Sequence, residues 1–440
     1  MAEKLFKEEN TTHFGDFPPT FGGKPPCFTY MSALRAYQYV SAPRLVIVIL
    51  ICRILSTNMS ALRAYQYASA PRLFTNFAIG FKQINNSCMQ ENQKIKLTSF
   101  SKGAGCGCKI SPMVLDEILR SEMEMPANAK LLVGNSSKDD AAVYDLGNGM
   151  ALISTTDFFT PVVDDPFDFG RIASANAISD IYAMGGTPIL AIAILGWPVE
   201  KIPVAEAARV LDGSRMICKE AGIPLAGGHS IDSSDPIFGL AVNGLVEIKN
   251  LKKNNTAKEG DLIFLTKPIG SGIMSTAQKR GLISPEHLTI LINQLSTLNK
   301  AGEALAKIEG VTAMTDVTGF GLLGHLIEMA EGGGLSAEIS YSDIPIIEGA
   351  RFYFAQKSIP DATYRNWNSY SKKVGFDKGV NVMEAFSLLP DPQTNGGLLF
   401  SVKPGSEDEV KGVLNQFGLN AFSCAVGKFT LQKEKTVIVK

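Results

Sequence analysis

A cysteine and a lysine stand three residues apart in Gly103-Ala-Gly-Cys-Gly-Cys-Lys109, a stretch that small residues keep bare. Glycine lets the backbone take positive φ and approach a ligand closely, and a nearby ammonium lowers a thiol's pKa toward the reactive thiolate. Cys106 with Lys109 is therefore a candidate nucleophile with its electrostatic partner. A surface turn with two inert thiols reads the same way, because a bare Cys-x-Cys has no settled meaning. A thiolate metal site is a further reading. Against it, no second ligand pair lies nearby to complete a tetrahedral set, and His229 and His325 are far along the chain.

Carboxylates form the second informative class. Asp140, Asp157 and Asp316 stand beside apolar, strand-like runs, and Asp180 joins them from a helical pattern. Mg²⁺ takes hard oxygen ligands, usually one or two carboxylates plus substrate phosphates. Each aspartate alone could equally be a helix cap or a solvated turn. Asn176 and Asp180 are four apart, so on a helix they share a face and can address one ligand. There is no G-x-x-x-x-G-K-[ST] P-loop, which argues against a Walker-type nucleotide site. Gly319-Phe-Gly-Leu-Leu-Gly324 matches G-x-G-x-x-G, but it follows Asp316 and Thr318 directly. A turn that lets a strand-end aspartate face metal and phosphate is the preferred reading over a nicotinamide site.

Further motifs follow in order: Lys138-Asp-Asp-Ala-Ala-Val-Tyr144, Ser154-Thr-Thr-Asp-Phe-Phe159, Asn176-Ala-Ile-Ser-Asp180, Ala226-Gly-Gly-His-Ser230, Met314-Thr-Asp-Val-Thr-Gly-Phe-Gly321 and Asp391-Pro-Gln-Thr-Asn-Gly-Gly397. In this order and spacing the chain resembles the selenophosphate synthetases, or selenide, water dikinases, from about Thr98 to its C-terminus. The one departure in the last motif is Asn395, where that family has serine. The resemblance implies an ATP-dependent enzyme that makes selenophosphate from hydrogen selenide and water, releasing AMP and phosphate, for selenocysteine and selenouridine synthesis. It implies Cys106 and Lys109 as catalytic residues and Mg²⁺ held by Asp140, Asp180 and Asp316. It also implies ATP contacts from Lys109, Ser137, Lys138, Asp139, Asp157, Asp180, Gly228, His229 and Ser230, the last three reaching across a dimer interface. His229 reads as a general base or as a hydrogen-bond donor. Two rivals remain: a superfamily relative with another acceptor, and a non-enzymatic selenium or metal carrier.

Composition bounds the rest. A chain of 440 residues, 45% hydrophobic and 19% charged, can bury two domain cores. Its formal net charge of −1 gives no footprint for nucleic acid or an anionic membrane, so an anionic substrate must be met by local groups and metal ions. Seven scattered cysteines and an N-terminus unlike a signal peptide suggest a reducing cytoplasm. The apolar run Leu45 to Cys52 is far short of the roughly 20 residues of a membrane helix. The expected partners are ATP, hydrogen selenide, a second copy of the chain and a transient selenium-delivery protein.

The expected fold is α/β (α+β), two domains of the aminoimidazole ribonucleotide synthetase-like type by resemblance: 93–248 for ATP binding and dimerisation, and 259–440 for the second domain. The polar stretch Lys249 to Glu259 separates them. Ser111-Pro112 is expected to start a helix with Val114, Leu115, Ile118 and Leu119 along one face; further helices are expected over Val204 to Ala221 and Pro285 to Lys307, and a strand over Phe238 to Val246. Residues 1–92 read as a disordered or spurious extension. Met31 to Leu45 recurs at Met59 to Leu73 with Val40 against Ala68 as the difference, and two copies do not build a repeat core. A chain begun at Met89 is thus expected to keep its melting temperature and turnover; a clear fall in either would show that the extension packs on the enzyme. Cys218 and Cys424, in apolar contexts, read as core thiols, and His325 as a satisfied core histidine.

Overall fold

The computed structural model describes residues 95–101, 103, 105–110, 112–120, 128–134 and 139–440. The chain divides into two units, 1–93 and 94–440. The duplicated segment, the apolar run, Ser137 and Lys138 lie outside the described residues, as does the side chain of Cys106.

The first sheet has the order β1-β2-β3-β6-β4-β5. Its strands are β1 (Leu131–Val133), β2 (Ala142–Asp145), β3 (Met150–Phe159), β4 (Thr187–Trp197), β5 (Leu225–Asp232) and β6 (Ile237–Glu247). Helix α1 (Pro112–Leu119) precedes them, α2 (Pro166–Ala183) links β3 to β4, and α3 (Val204–Ala221) is the crossover between the parallel strands β4 and β5. Asp165 starts α2 by accepting from the backbone N–H groups of Phe167 and Asp168, with Pro166 at the first helical position. Nearly every face of α2 is buried, and α3 crosses it at glycines. A Cβ on Gly170 would meet the Val210 carbonyl oxygen at 1.9 Å, and one on Gly213 would meet that of Phe167 at 1.9 Å.

The second sheet, of order β10-β13-β9-β12-β7-β11-β8, is built from β7 (Leu262–Leu265), β8 (Val311–Asp316), β9 (Leu335–Ile339), β10 (Val374–Phe376), β11 (Leu398–Val402), β12 (Gly427–Leu431) and β13 (Val437–Val439). Its helices are α4 (Ser271–Lys279), α5 (Pro285–Ser296), α6 (Ala301–Ala306), α7 (Gly321–Gly332), α8 (Ala350–Ala355), α9 (Asp361–Tyr370), α10 (Val382–Leu388) and α11 (Glu407–Gln416). Both halves are mixed α/β, as expected.

The apolar face of α1 is open: Val114, Ile118 and Leu119 are exposed, and Leu115 and Leu119 line a cavity. Two local expectations need correction. The helix expected over Pro285 to Lys307 is broken between α5 and α6, because Asn299 turns inward to bond Ser179 and the Gly396 carbonyl. Cys218 is buried, but Cys424 is exposed, in the bend before β12.

Candidate active site

Three carboxylates converge between the ends of the two sheets. Asp140 precedes β2, Asp180 lies in the last turn of α2, and Asp316 ends β8. One ligand atom from each lies within 4.8 Å of the others, and Asp180 and Asp316 are buried. Each is held by one hydroxyl donor: Thr315 Oγ1 to Asp140 Oδ1 at 2.7 Å, Thr155 Oγ1 to Asp180 Oδ2 at 2.5 Å, and Ser179 Oγ to Asp316 Oδ2 at 2.5 Å. Packing of α2 on β3 and β6 brings Asp180 to Thr155, while Ser179 reaches β8.

Burial raises all three pKa values, and mutual repulsion adds to it: Asp316 acts on Asp140, Asp157 acts on Asp180 and Asp316, and the hydroxyl donors oppose the shift. Asp139 is pushed up to about 6 by burial. Such a cluster calls for a cation. Asp140 Oδ2 is buried and accepts no hydrogen bond among the described residues, as expected of an oxygen reserved for a metal. The all-carboxylate donor set fits Mg²⁺ and not a thiophilic ion.

The glycine-rich turn delivers the opposite charge. Gly105 sits at φ +52°, and a Cβ there would meet Thr394 Oγ1 at 2.5 Å and Val162 at 2.9 Å, so glycine is required. The turn places Lys109 Nζ 4.0 Å from the Asp157 carboxylate, 3.4 Å from Thr318 Oγ1 and 5.9 Å from the Phe320 ring centre. Behind Thr318 stands His325, whose Nε2 accepts from the Thr318 backbone N–H at 3.1 Å. That bond fixes the tautomer: Nδ1 carries the proton and faces Glu328 Oε2 at 3.5 Å. Burial, helped by Lys109, lowers the imidazole pKa to about 3, so the ring is neutral. His325 is satisfied, as expected, yet it also lines the cavity.

Lys109, Asp139, Asp140, Asp157, Asp180 and Asp316 surround one cavity of about 410 Å³. Asn176 lies one turn from Asp180 on the same face. It donates to Asp157 at 2.5 Å and accepts from the Asn395 backbone at 2.7 Å, tying the Asp391–Gly397 loop to α2. Asn395 adopts φ +47°, which asparagine tolerates better than serine, and its amide donates to the Leu295 and Thr297 carbonyls. Gly228, His229 and Ser230 are not brought to this cavity. They lie exposed on β5, three strand positions from β3, about 14 Å at the usual spacing. Thr155, Ser179, Thr315 and Asn299 carry no role legible from sequence: Ser179 and Thr315 stand next to quoted aspartates and Thr155 two residues before one, whereas Asn299 has no local signal.

Residues 138–246 match the AIR synthase related protein N-terminal domain and residues 258–440 its C-terminal domain. Solved structures share the fold. The hydrogenase maturation protein HypE–HypF complex aligns with TM-score 0.55 at 16% identity, covering 74% of this chain and 95% of that one. A thiamine-monophosphate kinase relative, AaThiL complexed with AMPPCP and TMP, aligns with TM-score 0.53 at 18% identity, covering 75% and 93%. Sequence relatives are much nearer. Selenide, water dikinase of Photorhabdus laumondii is 52% identical over 79% of this chain and 98% of its own length, and that of Salmonella typhi is 56% identical over 74% and 93%. With both halves matched and such relatives covered almost end to end, the chain belongs to the selenide, water dikinase family of AIR synthase-related proteins.

Proposed function

We propose that this chain makes selenophosphate from hydrogen selenide, ATP and water, releasing AMP and phosphate. The observation that carries the reading is the meeting of Lys109, on the cysteine-bearing turn, with the Asp140–Asp180–Asp316 cluster across one cavity. Asp140, Asp180 and Asp316 would hold Mg²⁺, which when bound neutralises phosphate charge. Asp139 and Asp157 line the nucleotide's place, with Ser137 and Lys138 in the adjoining segment. Lys109 offsets charge on the transferred phosphoryl group, and the turn covers the cavity and excludes water from the reacting atoms. Cys106 would hold hydroselenide beside the phosphoryl group through a hydrogen bond at its sulfur, with no sulfur–selenium bond formed, so that the selenium stays reduced until transfer. Among the described residues no helix is long and apolar enough to cross a membrane, and a reducing cytoplasm suits both the thiol and selenide.

A second copy of the chain completes the site. One face of the first sheet is uncovered, and the strand register lines up Phe158 of β3, Gly239 of β6, Ile194 of β4 and His229 of β5 on it. Phe158 (53% exposed), Ile192 (41%) and Ile231 (57%) make this face apolar. Paired with its copy, it would carry Gly228, His229 and Ser230 toward the partner's nucleotide. Sedimentation equilibrium should give a dimer, and Phe158→Asp with Ile192→Asp should yield monomers of low activity. Fully active monomers would sink this arrangement.

His325 is a positioning residue in this scheme. His325→Ala is expected to lower turnover about 10- to 100-fold with nucleotide affinity kept, by analogy with partners that orient first ligands. His325→Gln offers Oε1 as acceptor in place of Nε2 and should restore most of the rate. Equal losses in both variants, with lowered melting temperatures, would mean that the ring only packs.

The direct test of the function is AMP formation from ATP with and without selenide. A selenium or metal carrier would bind without consuming nucleotide.

A further inference from the structure

A second cavity, about 560 Å³, lies on the other side of the glycine-rich turn. Successive residues of the turn face opposite ways: Lys109 lines the carboxylate cavity, whereas Gly103, Gly107 and exposed Cys108 line the second. The two cavities differ in sign. The first has Asp139, Asp140, Asp157, Asp180, Asp316 and Glu328 against Lys109. The second has Lys279 and Arg280 from the end of α4 and Arg365 from α9, against Asp361.

The cations also hold the partition in place. Lys279 Nζ donates to the carbonyls of Ser101 (2.6 Å) and Gly103 (3.0 Å), and Arg365 Nη2 to that of Gly107 (2.8 Å). Arg280 Nη1 donates to the Lys357 carbonyl at 2.7 Å. Both arginines line the cavity and bond a neutral carbonyl, which leaves their charge uncompensated by that bond.

Hydrogen selenide is a strong enough acid to be hydroselenide, HSe⁻, at neutral pH. A monoanion approaching through the first cavity would meet the acidic wall and the nucleotide phosphates, while the cavity behind the turn has the complementary sign. We propose that the basic cavity is the entry site for a small chalcogenide anion, hydroselenide, which reaches the turn from the side opposite the nucleotide. This rests on the function proposed above. It adds a separate route and names Arg280 and Arg365 as the groups that gather the second substrate.

Cys108 reports on the cavity without any turnover. Iodoacetate is anionic and iodoacetamide neutral, and both need the thiolate, so the ratio of their rates cancels the thiol's ionisation and reads the local potential. Read by peptide mass mapping at Cys108 in the full chain, that ratio should exceed the free-cysteine ratio by on the order of tenfold. It should fall toward the free value in Arg280→Gln and Arg365→Gln, and chloride, used as a weakly nucleophilic probe anion, should lower it in the unaltered chain. The selenide KM should rise about tenfold in Arg280→Gln with nucleotide affinity unchanged. Among the described residues Arg280 is bonded to Lys357 and not to the turn, so this variant keeps the test sound if Arg365→Gln misfolds. A charge-blind ratio at Cys108, or an unchanged selenide KM in Arg280→Gln, overturns the entry site. Selenide-dependent AMP formation by the same preparation reports the underlying activity separately: its absence beside a high ratio would sink the function and leave an anion cavity.

Discussion

Asparagine in place of Asp180 or Asp316 is expected to weaken Mg²⁺-dependent nucleotide binding at least about 100-fold, since each change removes an anionic oxygen from a hard-oxygen site. The fold should survive, because an asparagine Oδ1 can still accept from Thr155 or Ser179, the present hydroxyl partners. Burial and repulsion already raise these carboxyl pKa values, so the ionised cluster opposes folding when no cation is bound. The melting temperature without Mg²⁺ should therefore hold or rise. What disappears is the added stability from Mg²⁺ and nucleotide, about 2 to 3 kcal/mol at ligand levels near 100 times the original Kd. Melting curves with and without both ligands check this. Unchanged Mg²⁺ titrations together with normal turnover would remove the metal assignment.

Cys106→Ser should lower selenide-dependent AMP formation at least about 1,000-fold while nucleotide binding stays nearly intact, as removal of a side chain that acts only at the reacting centre does elsewhere. Cys108→Ser should be mild, since that thiol faces the cavity away from the carboxylates. Turnover and nucleotide titration on both variants separate the two thiols. Equal losses, with a metal bound in the unaltered protein, would favour a thiolate metal site over a catalytic thiol.

Much of this arrangement was legible in the chain because apolar runs and carboxylates alternate sharply. Asp157 lies within β3 and Asp316 closes β8, so strand patterning alone placed both near a strand end. The spacing of Asn176 and Asp180 put them on one face of α2, where they do meet neighbouring parts of the site. Strand β5 escaped notice: Gly227 and Gly228 have φ of +130° and +156°, and glycine pairs read as loop, yet pairing with β4 holds them in the sheet. The break at Asn299 was hidden for another reason. A buried amide bonding Ser179 overrides helical propensity, and no local pattern announces a partner 120 residues away. The hydroxyls on the carboxylates were equally silent, since serine and threonine occur throughout such sequences. The apolar face of α1 was legible, but its exposure was not, because periodicity marks an apolar face and not what covers it.

The most direct measurement is the yield of AMP from ATP by the purified chain under anaerobic conditions, with Mg²⁺, with and without selenide. Selenide should raise AMP formation strongly, with selenophosphate appearing in equal amount by phosphorus NMR. ATP consumption indifferent to selenide, or selenide bound while ATP stays intact, would contradict the proposed reaction.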